Sequence, residues 1–274
     1  MSALGEDFAG GWFRRMYWPV NPPGLAFAVS AALGLMLLHQ ALQAGLSYVI
    51  MLLAFDGNMS DQRSLVKAVL LSIFPASLIV AAVAWWLAGV RGGKPGEVLS
   101  LRTPRFTGLG WLVLIGGFMV GMYLAVMVVV LVLGIDLAQY TPGADGQSPS
   151  SGSAGLVKEA MFDIANEPLL FLLVFPSIAI GAPLAEEVIF RGQLFSALSN
   201  TRLGVSGTTL VTSLGWALLH VTEPWLSILL IFIMGLVFGW MMYRFGSLWL
   251  TIACHSAWNG IYALIIFTGQ GSVS

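Results

Sequence analysis

Apolar residues along this chain come in runs too long for strands, and the breaks between them are short. Seven runs are legible, at about 24–55, 65–90, 108–134, 169–198, 204–221, 225–243 and 247–268. Each approaches or exceeds the ~20 residues with which a helix crosses hydrocarbon, where every backbone group must be satisfied internally. The first is long enough to tilt or to extend beyond the bilayer. Helix breakers separate them: Asp56-Gly57-Asn58, Gly92-Gly93-Lys94-Pro95-Gly96, Glu223-Pro224 and Phe245-Gly246-Ser247. The pattern predicts an all-α, polytopic transmembrane helix bundle of about seven spans.

Composition strengthens this reading. Of the 274 residues, 58% are hydrophobic and only 9% charged, with a mean hydropathy of +0.87. Soluble domains carry roughly 25% charged residues, so a soluble globular enzyme and a disordered chain are excluded. A nucleic-acid binder would need a basic stripe, and the formal net charge is −1. A single cysteine, Cys254, excludes a disulfide framework and a thiolate zinc cluster.

The whole chain, 1–274, reads as one membrane-embedded domain without internal repeats. Residues 1–23 carry Trp12-Phe13-Arg14-Arg15-Met16-Tyr17-Trp18, an aromatic-basic interfacial segment rather than a cleavable signal. Residues 135–167 form the only long polar stretch, an extramembrane loop expected to be mobile around 142–153. With the N-terminus inside, Arg14, Arg15, Arg91, Lys94, Arg102, Arg105, Arg191, Arg202 and Arg244 fall inside, against Arg63, Lys67 and Lys158 outside. That asymmetry predicts a cytoplasmic N-terminus. The expected location is a bacterial inner membrane.

An ionisable residue within a span costs roughly 2.5–3.5 kcal/mol on insertion scales and is a functional candidate by default. The fourth run contains Gly181-Ala182-Pro183-Leu184-Ala185-Glu186-Glu187-Val188-Ile189-Phe190-Arg191. Glu187 and Arg191 stand four residues apart and can pair along one helix face. Glu186 projects about 100° away, free to face a cavity where burial makes a carboxylate a stronger base. The bland alternative is a salt bridge at a helix end near the interface.

Three histidines complete the polar inventory. His39, with Gln40 and Gln43 nearby, reads as a structural contact between helices. His220 ends the fifth run, and His255 lies in the seventh with Asn259 one turn on. No Glu, His or Asn lies in the second, third or sixth run, so the set points to one polar cavity in the C-terminal half. A buried carboxylate can activate water, and imidazole and amide groups can hold that water or donate to an oxyanion. Zinc held by two histidines and a glutamate is the rival, though neither HExxH nor GxSxG is present.

Glu186-Glu187-xxx-Arg191, Trp216-xxx-His220 and His255-xxx-Asn259, in this order on successive runs, resemble the motifs of the CPBP intramembrane endopeptidases. These are relatives of the type II CAAX prenyl proteases, also called the abortive-infection family. The run Met234-Gly235-Leu236-Val237-Phe238-Gly239-Trp240 and the later Gly246-Ser247-Leu248-Trp249 are also similar. The resemblance covers 183–262. It implies a glutamate-dependent endopeptidase that needs no metal or other cofactor and acts on membrane-associated peptides or proteins. Glu186 would activate water, His220 would position it, and His255 and Asn259 would stabilise the oxyanion, with Glu187 and Arg191 supporting. Trp216 departs from the Phe usual in the family. Members without proven proteolytic activity leave a scaffold or immunity-type protein as the alternative, beside a transporter with a buried Glu/His relay.

One geometric difficulty is predicted. A helical fifth run puts His220 near the outer end, on the order of 15 Å from the depth of Glu186. Either the fifth run sits deeper, or Gly181 and Pro183 break the fourth helix, or Pro224 leaves 221–223 as a shielded non-helical turn.

Overall fold

The computed structural model describes residues 15–90, 92–104, 106–135, 160 and 163–269. Residues 1–14 and most of the polar stretch expected at 135–167 lie outside that set. Among the described residues there are helices and no strands. The main elements are α1 (Leu25–Ala54), α2 (Gln62–Gly89), the short α3 (Pro95–Val98), α4 (Gly108–Leu133), α5 (Pro168–Leu198), α6 (Gly204–Leu218), α7 (Trp225–Phe245) and α8 (Leu248–Gly269). The protein is a helical membrane bundle. Among the described residues five helices, α1, α2, α4, α5 and α7, are long and apolar enough to cross a membrane.

α6 is the short one. Its 15 residues rise about 22 Å, less than a hydrocarbon core of ~30 Å. The rest of the predicted 204–221 run is a turn: His220 N–H donates to the Ala217 carbonyl at 3.0 Å, and Glu223 N–H to the His220 carbonyl at 2.9 Å. Pro224 then starts α7.

α1 and α2 pack along each other, and both lie against α5. The α2 start is capped by Asp61, whose side chain accepts from the Arg63 and Ser64 amides. Pro75 within α2 marks the crossing with α5. There Phe74 N–H donates to Ser177 Oγ at 3.3 Å, and a Cβ on Gly181 would stand 2.9 Å from Phe74 Cα. Only glycine allows two backbones this close.

α5 is continuous rather than broken at Gly181 and Pro183, but it widens twice into π turns, at Ser177–Gly181 and Val188–Leu194. Proline inside a helix lacks an N–H and clashes with the carbonyl four residues back. The first wide turn accommodates Pro183, and Ala182 N–H reaches Ser177 O instead. The second has the same pattern, with Phe195 N–H on Phe190 O, and it carries Arg191. Such bulges concentrate at functional sites.

α6 and α7 touch through small residues. A Cβ on Gly235 would lie 2.7 Å from Ser213 Cβ, and one on Gly239 would overlap the Thr209 side chain. This glycine pair, four residues apart, lets the helices approach closely. The α7–α8 corner is clamped by the segment after α3. Leu248 N–H donates to Ser100 O at 2.9 Å, Ser247 Oγ to Arg102 O at 2.7 Å, and Arg102 Nε to Gly246 O at 2.7 Å. The clamp fixes the rotation of α8 and hence the direction of His255.

Candidate active site

α5, α6 and α8 bring most of the predicted polar residues together. Glu187 and Arg191 pair as their spacing predicts, with Arg191 Nη1 3.1 Å from Glu187 Oε1 and side chains 0% and 1% exposed. The pair is therefore interior to the bundle, not a salt bridge at a wet helix end. An ion pair this buried persists only with further partners. Glu187 Oε1 accepts a second bond, from His255 Nδ1 at 3.2 Å, and the Arg191 guanidinium lies 4.5 Å over the Trp216 ring and 5.4 Å from that of Phe238.

Glu186 is the more open carboxylate, its side chain 26% exposed. Oε2 accepts a 2.6 Å bond from the Trp216 indole N–H and stands 3.9 Å from His255 Nε2. The His255 ring therefore bridges the two glutamates, one nitrogen toward each. It is packed between Trp216, at 5.2 Å between centroids, and Phe238, at 5.5 Å.

The hydrogen-bond partners set the tautomers. A carboxylate only accepts, so His255 Nδ1 carries a proton toward Glu187. Its Nε2 is then a lone pair in the neutral ring and a donor only in the imidazolium. His220 Nδ1 lies 3.0 Å from the Trp216 carbonyl, which also only accepts. His220 Nε2 is left as an acceptor.

Residues 168–261 match the family model described as Type II CAAX prenyl endopeptidase Rce1-like. That segment is similar to this family. The match bears out the resemblance carried by the three motifs, all of which lie inside it. It supports a membrane endopeptidase of the CAAX-protease-like kind in general. No curated protein and no solved structure matches the chain.

Within the matched segment the helix that leads to His220 ends at Leu218 in a turn, and α5 is not broken. His220 reaches the cluster through Trp216: their rings are 5.9 Å apart and nearly perpendicular, and the backbone carbonyl of one holds the ring of the other. Asn259 is brought to the same region of α5 but to a different group. Its Nδ2 donates to the Ile178 carbonyl at 3.3 Å. Pro183 has no N–H to offer that carbonyl five residues back, and Ala182 N–H is taken by Ser177 O. Asn259 thus satisfies an acceptor freed by the π turn, and its second amide hydrogen remains for another partner.

Trp216 is the residue that the motif alone undervalues. An aromatic four residues before a histidine reads as core, and its partner is 30 positions away. The available signal was chemical: a buried indole N–H needs an acceptor, and phenylalanine has none to satisfy. His39 lies outside the Rce1-like segment. It bonds Ser77 Oγ on α2 at 3.1 Å and contacts the Gln43 amide at 3.2 Å, the contact between helices expected of it. Among the described residues no group of three His, Cys, Asp or Glu side chains converges as a metal site.

Proposed function

We propose that the protein is an intramembrane glutamic endopeptidase in which Glu186 activates water for attack on a peptide bond of a membrane-associated substrate. The observation that carries the reading is the difference between the two adjacent glutamates. Glu187 is fully buried and bonded through Oε1 to both Arg191 and His255, whereas Glu186 is bonded through Oε2 to Trp216 alone and is partly open.

In this reading Glu186 Oε1 takes the proton of water, and the hydroxide oxygen attacks the carbonyl carbon. His220 Nε2, left as an acceptor, orients the same water. The tetrahedral oxyanion is met by the free amide hydrogen of Asn259 and by His255 in its imidazolium form, which Glu187 stabilises. Glu186 then passes its proton to the leaving amine. The chemistry needs no covalent intermediate and no metal. Seven crossings, a cytoplasmic N-terminus and a bacterial inner membrane belong to the same proposal, supported by the excess of Lys and Arg in the segments assigned to the inside, Arg191 left out of that count because it is buried in the bundle.

The experiment uses purified protein in lipid vesicles, a panel of membrane-associated peptides, and mass spectrometry of the products with and without EDTA or phenanthroline. Cleavage that survives both chelators supports the reading. Loss of activity restored by stoichiometric zinc would replace it with a metalloprotease, and no cleavage of any peptide would favour a non-catalytic scaffold.

A further inference from the structure

We infer that Trp216 is a positioning residue for Glu186: its indole N–H fixes Oε2 and so presents Oε1 to water. The inference rests on the proteolytic reading above and adds a residue for which that reading has no need. Three observations carry it. The Nε1–Oε2 distance of 2.6 Å is short for a hydrogen bond from nitrogen. The Trp216 side chain is 1% exposed, so water does not compete for the N–H.

The third observation is that the ring is fixed independently of Glu186. It packs at 6.0 Å from Phe238 and edge-on to His255, under the Arg191 guanidinium. The helix that carries it is pressed onto α7 at Gly235 and Gly239. A donor held this rigidly stops rotation of the carboxylate about its last torsion and costs little further ordering.

Other charged and titratable groups face Glu186 without replacing this contact. His255 Nε2 from α8 stands 3.9 Å from the same oxygen. Arg191 on α5 is bonded to Glu187 instead. His39 of α1 is within electrostatic range of Glu186 but bonds Ser77 and Gln43. His220, in the turn after α6, bonds the Trp216 backbone. The indole is the one donor within hydrogen-bond distance of Glu186 among the described contacts. Phenylalanine, the residue that the family resemblance implies at this position, would keep one aromatic ring but delete the donor and part of the buried volume, so an isosteric replacement is needed beside it.

The test compares full-length parent, Trp216→Phe, and a protein whose Trp216 indole is replaced by the isosteric benzothiophene, which lacks an N–H but keeps the ring. In vesicles both replacements should lower kcat roughly 10- to 100-fold, with KM within about twofold. Parental kcat in the benzothiophene protein would overturn the inference even if Trp216→Phe misfolds.

A second measurement does not need proteolysis. In protein labelled with ¹⁵N-tryptophan, the indole N–H signal lost in the benzothiophene protein identifies Trp216 among the ten tryptophans. That signal should shift in Glu186→Gln. An unmoved signal would overturn the inference. If the parent cleaves nothing while the signal does shift, the hydrogen bond stands and the proteolytic reading fails by itself.

Discussion

His255 and His39 both sit on apolar helices and both bond across a helix interface, yet their surroundings differ in kind. His255 is 3% exposed and lies between two carboxylates, with Arg191 on the far side of one of them. His39 is half-buried among neutral partners, a serine hydroxyl and a glutamine amide. Neutral polar groups between membrane helices can be satisfied by one hydrogen bond each. Charges cannot, and α5, α6 and α8 supply several contacts for every charged group they bury. A cluster that expensive is a functional candidate by default, and the proposed function puts its chemistry in the C-terminal half.

The contrast is broken or sharpened first at Glu187. Glu187→Gln leaves Arg191 buried with a weaker partner, and breaking a buried pair costs roughly 3–5 kcal/mol. A large fall in melting temperature is expected, with partial activity in whatever fraction folds. Parental stability by thermal denaturation in detergent would mean that the charge of Glu187 is not structural.

Asn259→Ala is next. If the amide serves both Ile178 O and the oxyanion, kcat should fall ~10²–10³-fold with little change in KM. Stability should fall by roughly 0.6–2 kcal/mol from the orphaned carbonyl. Kinetics and melting measured on one preparation separate the two roles. A destabilised variant with parental kcat would leave Asn259 as a helix tie only.

The smallest effect belongs to the other cluster. His39→Ala should cost ~0.6 kcal/mol in stability, the average for hydrogen bonds between membrane helices, and leave kcat within about threefold. A collapse of kcat in a well-folded His39→Ala protein would erase the distinction between the clusters and draw α1 into the active site.

Much of this site was legible in the sequence because its logic is local. Glu187 and Arg191 are one turn apart, and so are His255 and Asn259. A helix settles which side chains can meet at that spacing. The helical bundle follows in the same way from runs of apolar residues. What escaped depends on contacts that spacing does not encode. The first π turn of α5 follows from the geometry of Pro183 but frees the Ile178 carbonyl only once the helix is built, and the second, which carries Arg191, contains no proline to announce it. The 2.6 Å bond from Trp216 to Glu186 joins two helices whose relative depth depended on where α6 ends. Read as helix up to residue 221, that run puts His220 at the wrong level. Ended at Leu218, it puts His220 in a turn against Trp216.

The central claim is that Glu186, and not its neighbour, is the base. It is tested most directly by mass spectrometry of the products from parent and Glu186→Gln proteins, in the same vesicles and on the same peptide. Glutamine keeps the size of the side chain and can still accept from the Trp216 indole, but it cannot take a proton from water. The account predicts defined cleavage products from the parent and none above background from a Glu186→Gln protein that melts near the parental temperature. Equal product from both would contradict it.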